Sequence, residues 1–148
     1  MSLRFSGALL VLGSVTLSVG CAPIAYRPNE DRVKELGVEK AKADLKELVN
    51  RSKAAGGGAV ASVEVTDDAI KVKANQTTMG AFYQMETRQI ESTAEFPTLD
   101  RVDIYSNNWA YVYQSGRLAM QILFATPEDA RSFADLMMSF RAQKKPSS

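Results

Sequence analysis

The sequence predicts an α+β fold in which antiparallel strands are followed by a C-terminal helix, with a further helix added before them. Three features predict it. Apolar residues recur at steps of three and four between Val38 and Val49, and again between Ala130 and Phe140. Between those stretches lies a series of segments that alternate at period two, separated by short turn signals. The helical stretches flank the strands instead of alternating with them, so pairing is expected to be antiparallel.

Residues 5–20 carry no charge and follow the single positive residue Arg4, which is the profile of an export leader. The run is rich in Gly, Ser and Thr and falls short of the roughly 20 apolar residues that a spanning helix needs. It ends Leu17-Ser18-Val19-Gly20-Cys21, which resembles the lipobox of bacterial lipoproteins. That resemblance implies attachment of diacylglycerol to the Cys21 thiol, cleavage between Gly20 and Cys21, and acylation of the new amino group. Ser18 stands where that pattern usually has leucine. Ordinary cleavage after Ala22 is the competing reading, and it would leave Pro23 behind the scissile bond. Ala22, in place of aspartate after the cysteine, resembles the Gram-negative pattern sorted to the outer membrane, facing the periplasm.

Residues 21–30 contain two prolines and no periodicity, and are expected to be a tether. A helical region is expected over 31–55. A short turn over Asp31 to Leu36 is separated by Gly37 from a longer helix over 38–53, and the triple glycine 56–58 stops it. Val38, Ala41, Leu45, Leu48 and Val49 form the apolar stripe of that helix, with Glu39, Lys42 and Lys46 on its polar side.

The β domain is expected over 59–142. A two-residue turn at Asp67-Asp68 pairs Val65 with Ile70, Val63 with Val72 and Ala61 with Ala74 on an apolar face, and Glu64 with Lys71 on a polar one. A third strand falls within Phe82 to Ile90. Turns at Asn107-Asn108 and Ser115-Gly116 then make strands 101–106, 109–114 and 117–125 a meander. This register puts Val102, Ile104, Trp109, Tyr111, Tyr113, Leu118, Met120 and Ile122 on the core face. Tyr105, Val112 and Gln114 fall on the exposed face. In the last element Thr126 is placed to cap, Pro127 suits the first helical position, and Glu128 and Asp129 favour the positive end of the dipole. Residues 143–148 are expected to be a disordered tail.

Two successive antiparallel sheets and one terminal helix, joined where Leu118 to Phe124 runs into Thr126-Pro127-Glu128-Asp129-Ala130, resemble the pleckstrin-homology-like fold. The resemblance implies a bent sheet or split barrel plugged at one end by the helix. That scaffold hosts lipid, peptide and purely structural roles, and the basic phosphoinositide pocket of its eukaryotic members has no counterpart here.

Composition narrows the function. The 148 residues include 18 basic and 17 acidic side chains, and removing Arg4 with the leader leaves 17 against 17. A formally neutral domain lacks the electrostatic footprint of nucleic-acid binding. Without any histidine, His-based nucleophile activation and His-ligated metals are excluded, and the single cysteine excludes an intramolecular disulfide. Gly56-Gly57-Gly58 lacks the strand before it and the lysine after it that a phosphate loop needs. Glu86, Glu91 and Glu95 show no catalytic spacing, and Asp67-Asp68 no succession of oxygen ligands. Period-two aromatics such as Trp109, Tyr111 and Tyr113 are read as core before they are read as a stacking platform, and the scattered methionines as gap fillers.

The expectation is a lipid-anchored envelope lipoprotein that is not an enzyme, needs no cofactor or metal, and binds an envelope protein as a scaffold or assembly module. Glu39, Lys42, Lys46, Tyr105, Val112 and Gln114 are the expected interaction surface. A carrier of lipid or another small apolar ligand is the alternative, and it requires a cavity of several hundred Å³.

Overall fold

The computed structural model describes residues 22–54 and 57–144. The leader, the Gly20-Cys21 cleavage site and residues 145–148 lie outside the described residues. The element order is α1 (Arg32–Leu36), α2 (Val38–Asn50), β1 (Lys53–Ala54), β2 (Ala59–Val65), β3 (Ala69–Met79), β4 (Met85–Glu95), β5 (Leu99–Ile104), β6 (Trp109–Gln114), β7 (Arg117–Leu123) and α3 (Pro127–Lys144). The fold is α+β. Seven antiparallel strands in the order β4-β3-β2-β1-β7-β6-β5 form one bent, unclosed sheet with the C-terminal helix packed on it.

The sheet is continuous where two separate sheets were expected. The helical region stops at Asn50, and Lys53–Ala54 form a two-residue strand that pairs with Ala59 of β2 on one side and with Leu123 and Ile122 of β7 on the other. Two residues carry no periodicity, so β1 is invisible to pattern analysis.

The Asp67-Asp68 turn is where the sequence puts it, and the pairs Val65↔Ile70, Glu64↔Lys71, Val63↔Val72 and Ser62↔Lys73 form. The expected pair Ala61 with Ala74 does not. A bulge at Ala61 brings Val60 opposite Ala74 and restores an apolar residue to the inner face. The third strand is also displaced: β3 runs on to Met79, and β4 occupies Met85–Glu95.

The meander corrects the sequence reading of the core face. Tyr105 donates its N–H to the Trp109 carbonyl, Asn108 donates to that of Tyr105, and Asn108 has φ 66°. This is a three-residue loop ending in a left-handed residue, and it pairs Ile104 with Ala110 and Val102 with Val112. One extra loop residue turns β6 over. Trp109, Tyr111 and Tyr113 therefore leave the core face for the outer one, while Ala110 and Val112 are fully buried. The Ser115-Gly116 turn forms as expected, with φ 49° and 73°, the positive pair of a two-residue hairpin. A shift at Ala119 then pairs Val112 with Met120 and Ala110 with Ile122, so those two residues stay inside while Leu118 turns out.

α3 lies under the bent sheet. Thr126 Oγ1 accepts the Asp129 N–H at 3.1 Å, which is the expected cap. Ala130, Phe133, Ala134, Met137 and Phe140 are buried, with Phe133 against Phe124 and Phe140 stacked on Phe96 at 4.7 Å between ring centroids. Leu136, Met138 and Ser139 are buried as well. α1 and α2 pack on α3 and bury this second face.

Candidate functional site

The six residues expected to form an interaction surface fall in three places. Glu39, Lys42 and Lys46 line one open depression of about 370 Å³ between α2 and β2, together with Val63, Glu64 and Val65. Lys42 is engaged within the fold: its ammonium reaches Asp67 at 2.6 Å and Glu39 at 3.1 Å. Hydrogen bonding to Asp67 and then Glu39 raises its pKa, and the same contact with Lys42 lowers that of Asp67. Asp68 is bound in turn by Lys144 at 2.9 Å, so the two turn acids tie the β2–β3 hairpin to α2 and α3.

Val112 is not a surface residue. It is 0 % exposed, because the Asn108 loop turns β6 over, and it cannot meet a partner in this fold. Gln114 is half-buried and its Oε1 accepts the Glu95 N–H at 2.9 Å, which fastens the end of β4 to β6. Tyr105 is the member of the set that lies on the outer face of the meander.

That face carries an aromatic cluster. Tyr105 and Tyr111 are 4.7 Å apart between ring centroids, and Trp109 meets Tyr111 edge-on at 6.3 Å. The Arg101 guanidinium lies 4.0 Å above the Tyr113 ring and is held there by Asp103 at 3.0 Å. Partial burial, followed by the nearby Tyr113, pushes the Tyr105 hydroxyl up in pKa. All four aromatics are partly exposed, and Leu118, opposite Tyr113, is more so. The signal was in the sequence as three aromatics at period two; what hid their direction was the length of one turn.

The interior offers little room. Where β3 and β4 face β7, Val72, Ala74, Ile90, Met120 and Ile122 surround a cavity of about 20 Å³, room for one water. A groove of about 230 Å³ between the N-terminal helices and α3 is lined mainly by charged side chains, among them Arg32, Asp44, Glu47, Arg51 and Asp129. Among the described residues, no three of Asp, Glu, Cys or His are grouped to hold a metal ion, and no helix is long and apolar enough to cross a membrane. Comparison with protein-family models, curated proteins and solved structures gives no match.

Proposed function

We propose that the chain is a lipid-anchored protein of the cell envelope, attached through Cys21 and facing the periplasm from the outer membrane. In this reading it has a pleckstrin-homology-like architecture, performs no catalysis, and binds another envelope protein through the outer face of β5–β7. The observation that carries this is the Tyr105, Trp109, Tyr111, Tyr113 and Arg101 cluster. Tyr, Trp and Arg are the residues most enriched where protein interfaces concentrate their binding energy. They are held here on β5, on β6 and just past the end of β5, already packed against one another, so little conformational entropy is lost on docking.

The nearly filled interior supports binding over carriage. A cavity of about 20 Å³ is more than tenfold below what a small apolar ligand occupies.

Two measurements test the reading separately. Cys21→Ser should abolish fatty-acid incorporation and release the protein from membranes; persistent labelling would refute the anchor. With the anchor intact, Trp109→Ala and Tyr111→Ala should each weaken co-purification of a partner by roughly tenfold or more, as truncating a central aromatic does. If these variants capture the parent's partner set undiminished while Glu39→Lys with Lys46→Glu loses it, the interface lies on α2 instead.

A further inference from the structure

The β3–β4 hairpin outruns the rest of the sheet. β2 accompanies β3 only to the pair Ala59↔Asn75, and β3 and β4 continue alone through Gln76↔Arg88, Thr77↔Thr87, Thr78↔Glu86 and Met79↔Met85. Four further pairs at about 3.4 Å each carry the arm about 14 Å past the last shared register. It is closed by the Gly80 N–H donating to the Gln84 carbonyl at 2.7 Å. Phe82 and Tyr83 both hold left-handed backbone, φ 65° and 60°, an unfavourable conformation for aromatic residues.

The apolar side chains at this tip are uncovered. Phe82 is 92 % exposed, Tyr83 88 %, Met85 67 % and Met79 66 %. No charged residue occurs between Lys73 and Glu86. The stem behind the tip is polar on both faces, with Thr77 and Thr87 hydroxyls 3.3 Å apart on one and Thr78, Glu86, Gln76 and Arg88 on the other. Polarity therefore changes along the arm and not across it. A protein groove receiving the flank of a hairpin requires one apolar face, and this stem has none. Behind the apolar end the first pair, Thr78↔Glu86, already brings a carboxylate, which lies against Gly80 and is paired with Arg88 at 3.4 Å. An apolar end followed at once by a polar, ion-paired stem matches the narrow passage from the acyl boundary of a bilayer to its hydrated headgroups.

We propose that the tip of the β3–β4 hairpin inserts into the interfacial layer of a lipid bilayer. Phe82 and Tyr83 go deepest, Met79 and Met85 lie at the level of the headgroups, and Glu86 with Arg88 stays in the hydrated headgroup layer. One turn of hairpin gives shallow insertion, of the order of the 5–10 Å reached by other interfacial elements. The inference leans on the lipid anchor only for which bilayer is nearest, and its test dispenses with the anchor.

The mature chain from residue 21, carrying Cys21→Ser, contains the whole described core, which spans Val33 to Phe140. It should sediment with vesicles of phosphatidylethanolamine and phosphatidylglycerol, and high salt should leave this unchanged, because no basic residue lies at the tip. Phe82→Ser with Tyr83→Ser should lower the partition coefficient at least about tenfold, the effect expected from withdrawing even one buried phenylalanine. An unchanged circular dichroism melt would show that the fold is intact. In a Trp109→Phe background, Phe82→Trp should give a fluorescence blue shift on adding vesicles and be quenched by brominated acyl chains. The proposal is overturned if the parent does not sediment, if salt releases it, or if the double variant sediments equally well. Loss of a captured envelope protein by the double variant, with no vesicle binding by the parent, would place the tip in a protein pocket and overturn it too.

Discussion

Ser139→Ala should destabilise the domain far more than the loss of one hydroxyl on a helix ordinarily does. α1 is a single five-residue helix with no side-chain cap of its own, and so short a helix is unstable in isolation. Val33 sits in its first turn, where backbone N–H groups have no partner within the helix. The Val33 N–H instead donates to Ser139 Oγ of α3 at 2.8 Å, and both residues are fully buried. α1 is thus capped by another helix. Alanine keeps the packing but leaves a buried donor unsatisfied, at a cost of about 1–3 kcal/mol. With a urea dependence of about 2 kcal/mol/M for a domain of this size, the unfolding midpoint should fall by about 1 M. Ser132→Ala is the control, since Ser132 is exposed on the same helix. Hydrogen exchange at the Val33 amide supplies a local readout, slow in the parent and accelerated in Ser139→Ala. A midpoint shift no larger than that of Ser132→Ala, or an equally protected Val33 amide, would refute the reasoning.

Three further outcomes follow from packing and charge. Ile122→Ala and Phe133→Ala should each cost about 2–5 kcal/mol in urea unfolding, against little for Gln121→Ala on the outer face, because both truncations leave cavities in the core. Val112→Asp should abolish the cooperative melt while Tyr111→Asp leaves it in place; the opposite result would restore the register in which β6 faces inward with its aromatics. The Tyr26 hydroxyl is pushed up to about 12 from its ordinary 10.0, by burial first and then by its hydrogen bond and proximity to Asp135. Its stabilising contribution is complete below pH 10 and is lost as pH rises toward 12, so the parent should lose stability there relative to Tyr26→Phe, measured by parallel urea titrations.

Local chemistry that acts within a few residues was legible in the sequence. The Thr126 cap, the Asp67-Asp68 and Ser115-Gly116 turns and the α3 stripe depend on neighbours in the chain, and each is where the residues put it. What escaped was register. Asn107-Asn108 serves equally well as a two-residue turn or as the end of a three-residue loop, and the choice inverts all of β6. The shift at Ala119 inverts the pattern a second time, which is why Met120 and Ile122 face inward as their alternation predicts even though Val112 does not face outward. Alternation is insensitive to such paired shifts because each strand on its own still reads as period two. Burial of Leu136, Met138 and Ser139 was illegible for another reason: it depends on α1 and α2 arriving from a hundred residues earlier.

The segment read as a free tether has a more specific role, and it bears on how any anchor holds the domain. The Ile24 N–H donates to the Ile104 carbonyl at 2.7 Å, which covers part of the outer edge of β5. The Tyr26 hydroxyl and the Asn29 N–H both donate to Asp135 of α3, at 2.7 and 2.8 Å. Residues 24–29 are therefore part of the domain. Cys21 precedes Ile24 by three residues, a reach of at most about 11 Å, whereas nine free residues would reach about 30 Å. Under the proposed lipidation the domain is held against the bilayer with the Ile104 end of β5 nearest to it. A partner of the aromatic face would then be a protein that is itself at the membrane surface. Ile24→Pro combined with Tyr26→Phe removes two of the three bonds and should release the segment. A nitroxide placed by Ala22→Cys, in the Cys21→Ser chain, should then give a sharply narrowed spectrum compared with the parent. The released β5 edge should also promote self-association in sedimentation experiments. A parent spectrum as mobile as the double variant's would mean that the segment is a free tether after all, and the restriction on the partner would fall with it.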